Sequence, residues 1–211
     1  MADLLEGMAA NLYDGDSEAV SEGVRKALDD GLQPEEILQQ GLIAGMDEVG
    51  RDFKAGDLFV PEVLIAARAM HAGMSILRPL LAEGGVPTAG KFVIGTVKGD
   101  LHDIGKNLVK MMLEGAGFET IDLGTDVETQ AFVDAVREHQ PQMVGMSALL
   151  TTTMVQMKAT VEALEEVGLR STVKIMIGGA PVTAAYAQEI GADAYAPDAA
   201  SAVDTAREQA G

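Results

Sequence analysis

The sequence predicts an all-α helical part followed by a doubly wound α/β part with a five-stranded parallel sheet. Three observations carry this. Residues 1 to about 83 keep apolar side chains at helical spacing throughout. From residue 91 onward, short β-rich runs alternate with helical ones. Between them lies GGVPTAG (84–90), a Gly/Pro-rich stretch read as an interdomain linker. The expected domains are 1–88 and 89–211.

The helical elements follow in order. Leu4, Leu5, Met8 and Leu12 repeat at helical intervals. Asp16 or Ser17 caps a second helix that runs through Leu28 and stops at Gly31. Pro34 fits the first turn of a third, where Glu35 and Glu36 favour the N-terminal dipole. That helix carries Ile37, Leu38, Leu42 and Met46. Pro61 opens a fourth, with Val63, Leu64, Ala67, Met70, Met74 and Leu77 on its apolar face. Four helices joined by short turns predict a four-helix bundle.

The strands expected next are FVIGTV (92–97), ETIDLG (119–124), MVGMS (143–147), VKIMIGG (173–179) and DAYA (193–196). Helices fall near 105–116, 128–139, 153–168, 182–190 and 199–209. This alternation fits a flavodoxin-like (Rossmann-like) α/β fold with strand order 2-1-3-4-5. Ligands of such sheets sit beyond the carboxyl ends of the strands, where the order reverses between strands 1 and 3. The loops GDLHDIG, SALLTTT and GGAPVT should therefore meet along one edge.

Composition narrows the chemistry. The chain has 211 residues, 47% of them hydrophobic and only 4% aromatic, so Leu, Ile, Val, Ala and Met must build the core. A net charge of −18 argues against nucleic acid and against an anionic membrane surface. The absence of cysteine excludes disulfides, iron–sulfur clusters, cysteine-ligated zinc and a thiol nucleophile. MADLLEGMAANLYDGD lacks the basic segment of a signal peptide. No apolar run is expected to reach the roughly 20 residues of a bilayer span, so the expected location is cytoplasmic.

The loop GDLHDIGKN (99–107) is not a phosphate loop. Gly99 and Gly105 are one residue too far apart, Asn107 stands where Ser or Thr is needed, and two aspartates repel phosphate. A receiver domain would need Asp at the end of strand 3, where this chain has Ser147. Metal ligation by His102 fits better. Asp100, two residues away, is placed to accept a hydrogen bond from the second ring nitrogen. One histidine cannot hold a bare zinc or iron ion, and His71 and His139 fall in predicted helices elsewhere. A single ligand suffices when the metal arrives in its own macrocycle, a haem or a corrinoid. A corrinoid tail needs hydroxyls and close backbone approach. Ser147, Thr151, Thr152 and Thr153 supply the first, Gly178 and Gly179 the second. Asp103 reads as a helix cap, and Lys98 and Lys106 as solvated.

DxHxxG (Asp100, His102, Gly105), SxL (Ser147, Leu149) and GG (Gly178, Gly179), in that order on this fold, resemble the cobalamin-binding domain. DLFVPEVLIAARAMHAGMSILRPLL (57–81) looks like the cap module of methionine synthase and of the small, free-standing corrinoid proteins of methylotrophic methyltransferase systems. The resemblance spans nearly the whole chain. It implies base-off, His-on binding with His102 below cobalt and Asp100 behind it. It implies cofactor contacts from Gly99, Leu101, Asp103, Ile104 and Gly105 in the same loop. Ser147 and Leu149 would line the tail slot, Thr151 would touch the cofactor, and Gly178, Gly179 and Ala180 would form the turn beside the nucleotide. Thr153 matches a serine that extends the His–Asp relay, and Phe59 and Met70 would belong to the face that caps the corrin.

The resemblance further implies a methyl carrier in methylamine and one-carbon metabolism, cycling between methylcobalamin and cob(I)alamin, or using another corrinoid. Its partners would be a substrate:corrinoid methyltransferase of methylamine, betaine or methanol type, a corrinoid:acceptor methyltransferase, and a reductive activator. Two other functions share these motifs: a cobalamin-binding subunit of an adenosylcobalamin mutase, and a cobalamin-dependent sensor or regulator acting through a protein partner.

Overall fold

The structure is a computed structural model, and it describes residues 2–84 and 88–210. Residues 85–87, the middle of the expected linker, lie outside the described residues. The chain divides into two compact units, residues 1–87 with 115–117, and residues 88–114 with 118–211.

In the first unit, α1 (Ala2–Tyr13) and α2 (Ser17–Asp29) precede α3 (Pro34–Ile37). α3 passes through a π-helical turn, Leu38–Ile43, straight into α4 (Ala44–Ala55), and α5 (Val60–Glu83) completes the unit. Among the described residues this makes four helical rods. Asp16 caps α2: its Oδ1 accepts the Ala19 N–H at 2.9 Å. Glu62 reaches back at the start of α5, its Oε2 accepting the Phe59 N–H at 3.0 Å. The apolar spacing does not signal the π turn, because it reads equally well as one continuous α-helix. Gly41 and Gly45 lie in and just after that turn. A Cβ there would come within 2.8 Å of the Met8 sulfur and 2.9 Å of the Ala9 carbonyl oxygen, so both glycines let α1 lie close.

One expectation fails in this unit. α5 is long and apolar enough to cross a membrane, by length and composition. Its alanines and methionines lift the mean hydropathy although Glu62, Arg68 and Arg78 interrupt it. It buries Val63, Ala66, Ala67, Met70 and Leu77, as a packed core helix does, and α2 lies against it.

The second unit alternates β1 (Lys91–Thr96), α6 (Ile104–Gly115), β2 (Glu119–Asp122), α7 (Thr129–His139) and β3 (Met143–Ser147). α8 (Val155–Glu166), β4 (Lys174–Gly178), α9 (Ala184–Ile190), β5 (Ala194–Ala196) and α10 (Ala199–Ala210) follow. Among the described residues the strands form one parallel sheet of order β2-β1-β3-β4-β5, the flavodoxin-like order. Strand alternation sends Val93, Val144, Met146, Ile175 and Ile177 to one face. There they pack with Phe132 and Val136 of α7 and with Met157, Val161 and Leu164 of α8.

Register positions the functional edge. Thr96 pairs with Ser147, Ser147 with Gly178, and Gly178 with Ala196, so four strands end in one row. The expected strand 119–124 stops at Asp122, and α8 starts two residues later than expected. The cause of the second shift is local. The Thr153 N–H bonds the Leu150 carbonyl at 3.1 Å and holds a turn ahead of the helix.

Gly179 follows β4 at φ +129°, and a Cβ there would collide with the Ala148 carbonyl oxygen. Gly179→Ala is expected to cost about 2 kcal/mol or more in urea unfolding of the cofactor-free protein, from backbone strain plus this collision.

Candidate functional site

The row of strand ends is built upon by a tight turn. The Asp100 N–H bonds the Val97 carbonyl at 3.1 Å, and Gly99 occupies the third position of that turn at φ +80°. The Val97 N–H in turn bonds the Ser147 carbonyl at 3.0 Å. The turn carries the Asp100 side chain out of solvent, to zero exposure, against the loop that follows β3.

Five donors converge on that carboxylate. Oδ1 accepts the His102 N–H at 3.0 Å and lies 2.6 Å from the ring Nδ1. Oδ2 accepts the N–H groups of Leu149 at 2.7 Å and Leu150 at 3.2 Å, and the Thr153 hydroxyl at 2.8 Å. Burial alone would raise the pKa of this carboxyl. The N–H of Leu149, the N–H and ring of His102, and the hydroxyl of Thr153 together outweigh burial and hold it well below the usual carboxylate range. Asp100 is therefore an anion at neutral pH. An anion at Oδ1 selects the His102 tautomer that carries hydrogen on Nδ1 and leaves the lone pair on Nε2.

The rest of His102 is held as firmly. Its carbonyl accepts the hydroxyl of Thr96, itself fully buried, at 2.9 Å. The ring stands half-exposed. Beside it in the loops and helix starts are Leu101 and Ile104, 73% and 77% exposed, and the exposed Leu149, Leu150 and Val155. Apolar side chains gathered in the open around one polar ligand mark a binding surface for a large, largely apolar group.

Gly105 tests the fit of a macrocycle. Its φ is not positive, and a Cβ there would meet nothing within 4 Å. Glycine in a first helical turn is unfavourable relative to alanine, and no protein atom requires it here. Open space beside the ligand suits a bulky group lying close to the backbone. Among the described residues no three His, Asp or Glu side chains gather to hold a bare metal ion.

The other expected residues divide. Ser147 ends β3 between Thr96 and Gly178, and Leu149 meets Asp100 through its backbone. Thr151 and Ala180 are exposed in turns at the same edge. Asp103 starts α6 through its carbonyl, which accepts the Asn107 N–H at 2.7 Å, while its carboxylate takes the Asn107 side chain. Phe59 and Met70 belong to the other unit, where Phe59 is 65% exposed and Met70 is buried.

Lys106 corrects the sequence reading. It is buried, not solvated, with Nζ 2.6 Å from Asp122 Oδ1 at the end of β2. Asp122 also accepts the Gly124 N–H at 2.9 Å and lies 3.3 Å from the Lys110 Nζ. Burial would raise this carboxyl too, but the Lys106 ammonium, the Gly124 N–H and the Lys110 ammonium hold it down. Lys98 does stay exposed, in an ion pair with Glu128. Sequence reasoning also missed Thr96, Leu150, Val155 and Asp126. Thr96 had one signal, a hydroxyl closing an otherwise apolar strand. The other three had none.

A doubly wound sheet that presents one carboxylate-held histidine at its switch point, with exposed apolar side chains in the same loops, defines a module for a metal that comes inside a macrocycle. Two family profiles, each described as B12 binding domain, match residues 90–204 and 4–78. The chain is 47% identical to dimethylamine corrinoid protein 1 of Methanosarcina acetivorans, over 98% of this chain and 97% of that one. It superposes on a cobalamin-binding protein of Desulfitobacterium hafniense with a TM-score of 0.82 at 36% identity, covering 98% of both chains. It superposes on a chain of the methanol:cobalamin methyltransferase complex of Methanosarcina barkeri with a TM-score of 0.88 at 31% identity, covering 98% of this chain and 79% of that one. The chain belongs to the family of corrinoid proteins built on B12 binding domains, and its cofactor is a corrinoid of the cobalamin type.

Two outcomes follow for the cofactor-free protein. A carboxyl with a lowered folded pKa stabilises above its unfolded value, about 3.9, and loses that contribution as pH falls. The stability difference between wild type and Asp100→Asn, from urea unfolding, is expected to be largest near neutrality and to narrow below about pH 4. Gly105→Ala is expected to stabilise the cofactor-free protein by about 0.5–1 kcal/mol and yet weaken cobalamin binding in calorimetric titration.

Proposed function

We propose that this chain is the methyl-carrying subunit of a multi-component methyltransferase system, holding cobalamin base-off with His102 Nε2 as the lower axial ligand. The observation that carries the reading is the 2.6 Å contact between Nδ1 and a buried carboxylate, which leaves Nε2 as the ligating nitrogen. The relationship to a dimethylamine corrinoid protein favours a methylamine-type donor.

When bound, the cofactor supplies a cobalt centre that takes a methyl group from one partner and yields it to another. The chain's residues do the rest. Asp100 keeps the lone pair on Nε2 while that nitrogen ligates. When Nε2 is released it becomes the atom that takes a proton, and the resulting imidazolium faces a carboxylate that is already ionised. The Asp100 carboxyl has no vacant site for that proton, since five donors occupy it. Thr153 serves where a relay serine would stand, because its hydroxyl reaches Oδ2 at 2.8 Å despite the extra methyl.

Leu101, Ile104, Leu149, Leu150 and Val155 keep water from the lower face. Ser147, Thr151, Gly178 and Ala180 line the path of the displaced nucleotide. Gly179 belongs to the same turn, but the Ala148 carbonyl already requires glycine there. The helical domain, 1–88, supplies the candidate capping residues Phe59 and Met70. Phe59 has the exposed apolar surface for that task, and the buried Met70 stays with the bundle interior. A substrate:corrinoid methyltransferase loads the carrier, a corrinoid:acceptor methyltransferase unloads it, and a reductive activator rescues oxidised cofactor.

Electron paramagnetic resonance tests the ligand assignment. With protein labelled with 15N-histidine and cobalt in its divalent state, the axial nitrogen splitting is expected to change from a triplet to a doublet. His102→Ala is expected to abolish the protein-derived splitting. A triplet unaffected by labelling would place the nucleotide base on cobalt and refute the reading. Methyl transfer from dimethylamine, with the cognate methyltransferase supplied, checks the donor class.

A further inference from the structure

We propose that Asp126 is a positioning residue that holds the His102 loop in ligating geometry, an inference that rests on His102 being the axial ligand. Asp126 lies 26 residues beyond Asp100, in the connection from β2 to α7. Its backbone stands at φ +54°, the left-handed region that non-glycine residues seldom occupy. From that conformation it grips the turn twice. Its N–H donates to the Asp100 carbonyl at 2.9 Å, and its Oδ1 accepts the Gly99 N–H at 2.7 Å.

The neighbouring backbone makes this grip the end of a longer seam. The Thr96 N–H bonds the Gly124 carbonyl at 2.9 Å, and the Val127 N–H bonds the Thr96 carbonyl at 3.0 Å. Val97 and Val127 form an isolated parallel bridge. Segment 124–127 thus runs beside 96–100 like an added piece of strand, and Asp126 closes it over the two peptides that flank the Gly99–Asp100 link. Gly99 has no side chain and a positive φ, so its own preferences do not fix its backbone. The Asp126 carboxylate holds its N–H, beside the bond from the Asp100 N–H to the Val97 carbonyl.

Residue type at 126 meets two demands together. Aspartate and asparagine tolerate the left-handed region better than other side chains, and both offer an oxygen to the Gly99 N–H. Glycine meets only the first demand. Alanine meets neither. A shift at Gly99–Asp100 is passed directly to the ring, because the same Asp100 carboxylate binds the His102 N–H and Nδ1.

Asp126→Asn, Asp126→Gly and Asp126→Ala separate these demands. In the cofactor-free protein, Asp126→Gly is expected to speed amide exchange at Gly99 about tenfold, the loss of one charge-assisted hydrogen bond. In cobalamin-loaded protein it is expected to lower the fraction of cobalt with a histidine-derived nitrogen splitting and to raise the cobalamin Kd about tenfold. Asp126→Asn should restore all three readouts close to wild type. Should Asp126→Ala fail to fold, the Gly and Asn variants decide the matter. An Asp126→Gly protein that is merely less stable, with wild-type ligation and affinity, would reduce Asp126 to a structural loop residue while leaving the assignment of His102 intact. A wild-type protein without histidine ligation would refute the assignment of His102, and this inference with it.

Discussion

The site depends on one buried anion. A carboxylate withdrawn completely from water is costly unless its lone pairs are filled, and Asp100 satisfies this with five donors drawn from two loops and the threonine ahead of α8. The requirement acts on geometry. The turn after β1, the loop after β3 and the start of α8 must all arrive at the same two oxygen atoms. The level row Thr96, Ser147, Gly178 and Ala196 brings these chain segments to one edge, so the sheet's register is what makes the convergence available.

The same carboxylate gives the imidazole its chemistry. Held ionised, it takes the hydrogen of Nδ1 and leaves Nε2 basic and turned to its other side. Beside this polar centre Leu101, Ile104, Leu149 and Leu150 are exposed, in a protein whose net charge is −18. A strongly acidic surface with an apolar clearing around one histidine suits a flat, mostly apolar macrocycle. Beyond the loop, the pair of buried Lys106 with Asp122 braces the first turn of α6 against the end of β2. The buried Asp100 carboxylate before residues 101–105 and the buried Lys106 ammonium after them fix a loop that glycine alone would leave loose.

Much of this was legible in the residues. Apolar runs of strand length alternating with helical spacing set the fold class, and the order 2-1-3-4-5 then brings GDLHDIG and SALLTTT to one edge. Asp100 and His102 could be read as a pair from their spacing after a strand, whereas Thr153 joined them only through the resemblance to the cobalamin-binding domain. The parts that could not be read depend on tertiary contact. Lys106 looks like any helix-surface lysine, and only the position of β2 shows that it is buried with its ammonium on Asp122. Asp126 lies in a plain TDVET stretch, and its role rests on a backbone angle and on a partner 27 residues earlier, Gly99. The π turn at 38–43 leaves no trace in apolar spacing.

The most direct test of the account concerns the state of one ring before any cofactor is present. Nitrogen-15 NMR of the cofactor-free protein, followed to the alkaline end of the histidine titration, resolves the tautomers of its three neutral rings. In the neutral His102 ring the hydrogen is expected on Nδ1 and the lone pair on Nε2, and Asp100→Asn is expected to remove this preference. A His102 ring found with hydrogen on Nε2 alone would contradict it, since the nitrogen turned to the cofactor would then have no lone pair to give.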